Sequence, residues 1–329
     1  MRVAAIVLLA ASCAFAQNWQ PNIVNAHLET RPFSGDLAGQ LHASVPTWFG
    51  YAVKSARQGD DGECHSRLEG GWENHADRGP VHLEPSGAAV ILFRVNGSEV
   101  QKIQAHPLYC QLDADGMPFV WLTGVPAGAS ITYLEKQVAP DSRFENALLA
   151  ISMHDDPQAD VVLERFARPA QPQNIREKAI FWLGANRGAR GVEVLARLLS
   201  SDPSEFIRDK TVFALFINKQ PEALTLLMKA AKSDPAPLVR GQALFWLAQN
   251  AGKHASDTIV DAIQNDPDTE VKKRAVFALS QLPRDDGVPK LIEVARTQRN
   301  AEVRKQAFFW LGQSQDPSAL HFIEQVLEK

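Results

Sequence analysis

Hydrophobic and polar positions in the second half of the chain recur with a period of 32 residues. Each copy opens with an aliphatic residue followed by Arg or Lys, at Ile175-Arg176, Ile207-Arg208, Val239-Arg240, Val271-Lys272 and Val303-Arg304. Four positions after the aliphatic residue comes a small residue, six positions after it a Phe and eight positions after it a Leu. Because positions i, i+4 and i+8 lie on one side of an α-helix, each copy predicts an amphipathic helix.

Each copy also contains a second apolar stretch, which predicts a second helix. These stretches are Val192–Leu199, Leu224–Ala231, Ile259–Ile263, Val288–Ala295 and Leu320–Leu327. Asp-Pro pairs beginning at Asp202, Asp234 and Asp266 separate successive copies, and Asp suits the N-cap of a helix while Pro suits its first position. A degenerate sixth copy precedes them over Arg143–Asn174. Since one helix pair cannot bury its apolar side alone, the copies are expected to stack into an α-solenoid.

Residues 17–142 lack this period and alternate apolar with polar positions instead. Ala89–Val95 and Glu99–Ala105 flank Asn96-Gly97, which predicts a β-hairpin with a two-residue turn. Further strands are predicted over Trp48–Val53, Phe119–Thr123 and Ser130–Leu134. The expected fold class is therefore α+β with two domains. A small β-rich domain over residues 17–142 precedes a solenoid of about six 32-residue repeats over residues 143–329.

The first 16 residues predict a secretory signal peptide. Met1-Arg2 supplies a positive charge, an apolar run follows, and Ala14-Phe15-Ala16 predicts cleavage before Gln17. Lipoprotein attachment at Cys13 is a second interpretation, although Ala10 stands where Leu is usual. No later segment has the roughly 20 consecutive apolar residues of a membrane span. We therefore expect a periplasmic or secreted protein without an integral membrane segment.

Cleavage would leave Cys64 and Cys110 as a pair in an oxidising compartment. One disulfide is expected, which would stabilise the domain by roughly 4 kcal/mol in the chain-entropy model. The alternative is a thiol nucleophile or a metal ligand. No Cys-x-x-Cys motif or metal-ligand spacing supports that alternative.

The copies resemble the short HEAT repeats named after phycobilisome lyases, whose pattern is Asp-Pro, then Val-Arg, then Ala and Ala-Leu-Gly. One copy of this chain reads Asp234-Pro235, Val239-Arg240, Ala243 and Phe245-Trp246-Leu247-Ala248. The resemblance covers about residues 143–329 and implies an α-solenoid of the kind that serves mainly as a binding scaffold. The whole chain also resembles uncharacterised exported HEAT-repeat proteins of bacteria, a resemblance that implies no activity.

The same resemblance bears on enzymatic activity. Deoxyhypusine hydroxylases hold two irons through His-Glu pairs on their repeats, and this chain contains no His-Glu dipeptide. Phycobilin lyases share the repeat, but an export signal would separate this chain from a cytoplasmic bilin. The N-terminal domain concentrates six histidines, His27, His42, His65, His75, His82 and His106. These histidines leave open a metal-dependent enzyme with its site in the N-terminal domain and a solenoid that recruits the substrate. Their spacing matches no ligand template, so we assign no catalytic residue, metal or cofactor.

The Arg and Lys of each copy form a basic column, Arg176, Arg208, Arg240, Lys272 and Arg304. The chain has a net charge of −4, and residues 143–329 contain 25 Lys and Arg against 24 Asp and Glu. Since nucleic-acid binding needs surplus positive charge, such a partner is not expected. The balance favours a structural ladder between this column and the inter-repeat Asp residues, with a ligand-binding stripe as the alternative.

One position after each Phe, the repeats alternate between Trp and Ala, which places Trp182, Trp246 and Trp310 two repeats apart. One interpretation is large-to-small packing between neighbouring helices in the core. The other is a row of indoles that anchors an extended peptide, because Trp is favoured at binding hot spots. The exposure of the three side chains distinguishes the two.

These features together predict a non-enzymatic scaffold outside the cytoplasm that binds a protein or peptide on the concave surface of the solenoid. The candidate binding residues are Trp182, Trp246, Trp310, Arg176, Arg208, Arg240 and Arg304.

Overall fold

The computed structural model describes residues 19–56, 64–70, 87–139, 146–250 and 253–328. The predicted signal peptide, with Cys13 and the cleavage site before Gln17, lies outside the described residues, as do His75 and His82. Among the described segments, no helix combines the length and the apolar character that crossing a membrane requires. The chain divides into two compact units, the first ending at Ser130 and the second beginning at Ile131.

Up to Thr123, the described residues of the first unit form strands and one short helix. Its elements are β1 (Asn22–Val24), β2 (His27–Pro32), α1 (Leu37–Gln40), β3 (Ala43–Lys54), β4 (His65–Arg67), β5 (Ala88–Gly97), β6 (Glu99–Pro107), β7 (Gln111–Asp113) and β8 (Pro118–Thr123). A five-stranded sheet has the order β2-β8-β3-β5-β6, and a three-stranded sheet has the order β1-β7-β4. Strand β8 runs parallel to both β2 and β3, whereas β5 runs antiparallel to β3 and β6.

The predicted hairpin is confirmed as β5 and β6, but its turn is not the predicted pair: Asn96 pairs with Glu99, so the two turn residues are Gly97 and Ser98 rather than Asn96 and Gly97. Gly97 has φ +63°, a left-handed conformation that glycine adopts without steric cost. The first six residues of β5 are all buried, so this central strand is covered on both faces. The strands predicted over Trp48–Val53 and Phe119–Thr123 are also confirmed, and both contribute to the core of the unit.

The strand predicted over Ser130–Leu134 is wrong, since these residues belong to α2 (Ala127–Gln137). Ser130, Ile131 and Leu134 are buried while Thr132 is exposed, which is the spacing of one helix side. A short apolar run does not distinguish a strand from a buried helix. The repeat phase placed the domain boundary at 142/143, whereas the division of the chain assigns most of α2 to the second unit.

The second unit continues with twelve helices in six consecutive pairs among the residues described. They are α3 (Asn146–Met153), α4 (Pro157–Ala167), α5 (Gln173–Asn186), α6 (Gly188–Ser201), α7 (Glu205–Ile217), α8 (Pro221–Ser233), α9 (Pro237–Asn250), α10 (Lys253–Asn265), α11 (Thr269–Ser280), α12 (Arg284–Thr297), α13 (Ala301–Gln313) and α14 (Pro317–Leu327). First helices (α3, α5, α7, α9, α11, α13) pack against first helices, and second helices against second helices. The predicted solenoid-like arrangement is confirmed.

The prediction that the inter-repeat Asp residues cap the next helix is wrong for all three, Asp202, Asp234 and Asp266. Asp202 instead ends α6, and its Oδ1 accepts a hydrogen bond from the Ser204 backbone N–H at 3.0 Å. Ser204 and Asp268 take the N-cap positions of α7 and α11. The structure therefore moves the cap two residues along and frees the Asp carboxylates for another role.

Candidate functional site

The first half of the basic column forms a buried ladder of ion pairs. The carboxylate of Asp234 accepts two hydrogen bonds from Arg208, from Nε at 2.8 Å and from Nη2 at 3.0 Å. Arg240 donates to Asp266 in the same way at 2.7 and 2.9 Å, and Arg176 pairs with Asp202. In each pair the two residues are 26 positions apart and both side chains are at least nine-tenths buried. The predicted ladder is confirmed.

The ladder also ties the guanidinium groups to the backbone. Arg208 Nη1 donates to the Asp202 carbonyl oxygen at 2.8 Å, and Arg240 Nη1 donates to the Asp234 carbonyl oxygen at 2.9 Å. The hydrogen bonds that Arg208 donates to Asp234 and Arg240 donates to Asp266 raise the pKa of both arginines above the ordinary arginine value. These arginines hold neighbouring repeats together and do not face solvent.

The ladder ends after Arg240, because Gln298 stands one period after Asp266. Lys272 Nζ donates to the Gln264 carbonyl oxygen at 2.9 Å, and Arg304 Nη1 donates to two carbonyl oxygens, of Gln298 and Arg299, both at 2.8 Å. Of the four candidate arginines, Arg304 is the one that is only half-buried.

A continuous row of aromatic side chains runs along the first helices from α5 to α13. This aromatic row consists of Phe181, Trp182, Phe213, Phe216, Phe245, Trp246, Phe277, Phe309 and Trp310. Rings on consecutive first helices contact each other, with centroid-to-centroid distances of 6.3 Å between α5 and α7, 5.0 and 4.4 Å between α7 and α9, 5.9 Å between α9 and α11, and 4.9 Å between α11 and α13. None of the nine side chains is fully buried.

The three tryptophans are half-buried, so they are neither pure core nor pure surface. Trp246 packs on Phe213 and Phe216 of the preceding first helix, while the residue at its phase in α7, Ala214, is completely buried. The exposed part of the row is carried mainly by phenylalanines, with Phe181 exposed by 37% and Phe309 by 53%. The sequence interpretation assigned the binding role to the indoles and missed these rings.

Cavities lie at both ends of the aromatic row. One of about 370 Å³ is lined by Phe181, Trp182 and Phe213 together with Asn146 and the charged residues Glu177, Lys178 and Lys210. Another of about 240 Å³ has Trp310 in its wall. The buried Nε1 of Trp310 has no hydrogen-bond acceptor among the described residues. The face therefore offers apolar rings flanked by hydrogen-bond donors.

The predicted disulfide between Cys64 and Cys110 is present in the first unit. A ring nitrogen of His106 and the two Sγ atoms lie within 4.8 Å of one another, and within the described ranges this is the one group of three potential metal ligands. His42 Nδ1 lies 3.0 Å from Ser98 Oγ and His65 Nδ1 lies 3.0 Å from Gln111 Oε1. The metal-dependent enzyme in this unit stays a prediction. Among the described residues, the group of Cys64, His106 and Cys110 is the one set of potential metal ligands that bears on it.

His154, which follows α3, is a buried base in the second unit. Its Nδ1 lies 2.8 Å from the Ala150 carbonyl oxygen. Burial lowers the pKa of His154 to about 4; the charge of Arg187 adds to this effect and that of Asp156 opposes it. The ring is therefore neutral in the folded protein at neutral pH.

We expect acidification to weaken the second unit through His154. An unfolded histidine has a pKa near 6.5, so between this pH and about 4 the unfolded chain binds a proton that the folded chain does not. The neutral ring therefore contributes its full stabilisation only well above pH 6.5, and the free energy of unfolding falls by about 2 kcal/mol from pH 7.5 to pH 5. Urea unfolding at pH 7.5 and 5.0 measures this loss. In His154→Asn the loss should shrink by that amount, and an equally steep dependence in this variant would contradict the assignment.

Comparison with known proteins agrees with this architecture. Residues 159–248 and 256–329 match the family model described as HEAT repeats. The complex of CpcE and CpcF of phycocyanin lyase from a Nostoc species is 23% identical, with 47% of this chain and 99% of that chain covered and a TM-score of 0.36. Human deoxyhypusine hydroxylase in complex with glycerol is 19% identical, with 60% and 88% covered and a TM-score of 0.32. A search of curated proteins finds no match.

Proposed function

Because this chain is a HEAT-repeat protein, we propose that it is a protein-binding scaffold outside the cytoplasm whose first-helix face takes an extended peptide segment. The observation that supports this most is the unbroken aromatic row, which spans five first helices and stays partly exposed along its length. Large aromatic side chains supply much of the binding energy at protein interfaces. An extended partner segment is the shape that contacts such a row along its length.

The packing of the helices also favours this face. Neighbouring first helices contact each other more extensively than neighbouring second helices do. In a curved array the more closely packed layer is the inner one, so the concave surface remains our prediction for the binding face. Arg176, Arg208 and Arg240 are left out of the proposed site because their donors are used within the ladder.

The charges beside the row suggest the chemistry of the partner. In the cavity at Phe181 the two cations Lys178 and Lys210 outnumber the one anion, Glu177. The side chain of Arg274, on α11, lies over Gly241 of α9. We therefore propose a segment that carries apolar side chains for the rings and acidic side chains for these cations. The location outside the cytoplasm is supported by the predicted signal peptide and is compatible with the disulfide.

A peptide-display selection against the full chain tests the proposal. We expect enriched peptides that combine aromatic or aliphatic residues with Asp or Glu. The double variant Phe181→Ser, Phe309→Ser removes the two most exposed rings and should weaken binding of the selected peptides at least tenfold, which corresponds to about 1.4 kcal/mol or more. The measurement is the dissociation constant, determined by fluorescence polarisation.

Val161→Ser is the matched control, because Val161 is 64% exposed on α4 and lies outside the row. This variant should bind the same peptides as the unmodified chain. The proposal is contradicted when no peptide is enriched, or when the double variant and the control bind equally well.

A further inference from the structure

The two sheets of the first unit bring a histidine to the disulfide. His106 lies on β6 opposite Val90 of β5. Cys110 immediately precedes β7, and Cys64 immediately precedes β4, which pairs with β7 in parallel. The Gln111 backbone N–H donates to the Cys64 carbonyl oxygen at 2.9 Å and fixes the register there. As a result the His106 ring nitrogen and both sulfurs meet within 4.8 Å, although His106 has no part in the disulfide.

The surroundings suit a soft ligand set. Cys110 is completely buried in the core cluster that includes Trp48 and Leu112, and Cys64 packs against the same cluster. A neutral imidazole nitrogen is a common metal ligand, and His106 places a ring nitrogen beside both sulfurs. Gln104 Oε1 lies 3.2 Å from His106 Nε2 and helps to fix the orientation of the ring.

We propose that Cys64, Cys110 and His106 form a binding site for one Cu(I)-type ion when the disulfide is reduced. A dithiol donor delivers two electrons and two protons to the S–S bond, which breaks to give two thiols while the donor becomes a disulfide. The metal ion then forms one bond to each sulfur and one to the imidazole nitrogen, and the two thiol protons are released to solvent. Because the same sulfurs serve both states, disulfide and metal exclude each other.

The ligand number argues against a structural Zn²⁺ site, and the ligand type favours Cu(I). A structural zinc site takes four ligands, and the group formed by the described residues contains three. Thiolates are soft ligands that select Cu(I). One Cu(I) with two thiolates and a neutral imidazole carries a single negative charge. A metal–thiolate bond is about 2.3 Å long, so the sulfurs need to separate to roughly 4 Å, which side-chain rotation can supply.

The test uses the full chain, reduced with dithiothreitol, desalted without oxygen and titrated with Cu(I) against a coloured Cu(I) chelator. We expect one Cu(I) per reduced chain, protection of both thiols from alkylation, and no high-affinity binding to the oxidised chain. His106→Ala should lower the affinity at least tenfold. His65→Ala is the matched control, since His65 is exposed on the adjoining strand and lies outside the group. Its affinity should equal that of the unmodified chain.

X-ray absorption of the Cu(I)-loaded, unmodified chain identifies the atoms bound to copper without any substitution at His106. Two sulfurs and one nitrogen around copper support the proposal, whereas two sulfurs alone contradict the role of His106. Failure of the reduced chain to bind Cu(I), or preference for Zn²⁺ over Cu(I) in direct competition, overturns the proposal. None of these outcomes depends on the peptide-binding function of the second unit.

Discussion

Arg208→Ala is expected to lower the free energy of unfolding of the second unit by about 3–5 kcal/mol, because it leaves the Asp234 carboxylate buried without its cation. The substitution also removes the donor to the Asp202 carbonyl oxygen. Asp234 contacts two of the three ladder arginines, because its carboxylate accepts from Arg208 and its carbonyl oxygen accepts from Arg240. Urea unfolding followed by far-UV circular dichroism gives the change.

Arg304→Ala is the matched control at the same phase of the repeat. Arg304 donates to two backbone carbonyl oxygens and is half-buried, so its removal leaves no buried carboxylate without a partner. We expect a loss of about 1 kcal/mol. The double variant Arg208→Met, Asp234→Leu should recover most of the stability lost in Arg208→Ala, because it removes both charges. Equal losses in Arg208→Ala and Arg304→Ala would contradict the ladder as the main contact between repeats.

Gly184→Ala is expected to destabilise the second unit by about 3 kcal/mol, at the upper end of overpacking effects. A Cβ at Gly184 of α5 would lie 2.8 Å from the carbonyl carbon and 2.9 Å from the Cα of Ala214 in α7. These are backbone atoms, which cannot rotate aside, so the two first helices would have to separate. Separation would also strain the hydrogen bond from Asn218 Nδ2 to the Gly184 carbonyl oxygen, 3.1 Å long.

Gly312→Ala is a control at the same repeat position, four repeats further along in α13. Nothing lies within 4 Å of the added Cβ there. Alanine favours helix over glycine, so the free energy of unfolding should rise by about 0.5 kcal/mol. Thermal and urea unfolding of both variants measure the difference. A similar effect of the two substitutions would show that close helix contact at Gly184 does not limit the packing.

Much of the fold could be predicted because the same hydrophobic pattern occurs in several copies. The positions of Ile175 and Leu183 have helical spacing within one copy and recur in five copies, and the five helices that they predict are all present. The β5–β6 hairpin was predictable because two local signals, the Asn96-Gly97 pair and the flanking alternation, agree, although the turn lies one residue later, at Gly97-Ser98. Ser130–Leu134 carried only one short apolar run and was assigned to the wrong element.

The candidate site was less predictable, although the helical angles contain a partial signal. With 100° per residue, the Phe at i+6 falls far from the side defined by i, i+4 and i+8, whereas the Trp at i+7 falls next to it. Phe181 is accordingly the more exposed ring and Trp182 the more buried. Phe216 is not at one of the positions that recur in every repeat, so the sequence pattern could not predict that it stacks on Trp246.

The sequence by itself determined the helical repeat and the pairing of its helices, because these depend on periodic spacing. The charge balance favoured a ladder between the basic column and the Asp residues, and the structure formed it in three pairs. Only the tertiary structure decided that the rings join into one partly exposed row and that His106 reaches the disulfide. Both depend on distances between residues on different helices or strands. Spacing along one chain fixes the side of a helix on which a residue lies, but not its neighbours on the next element.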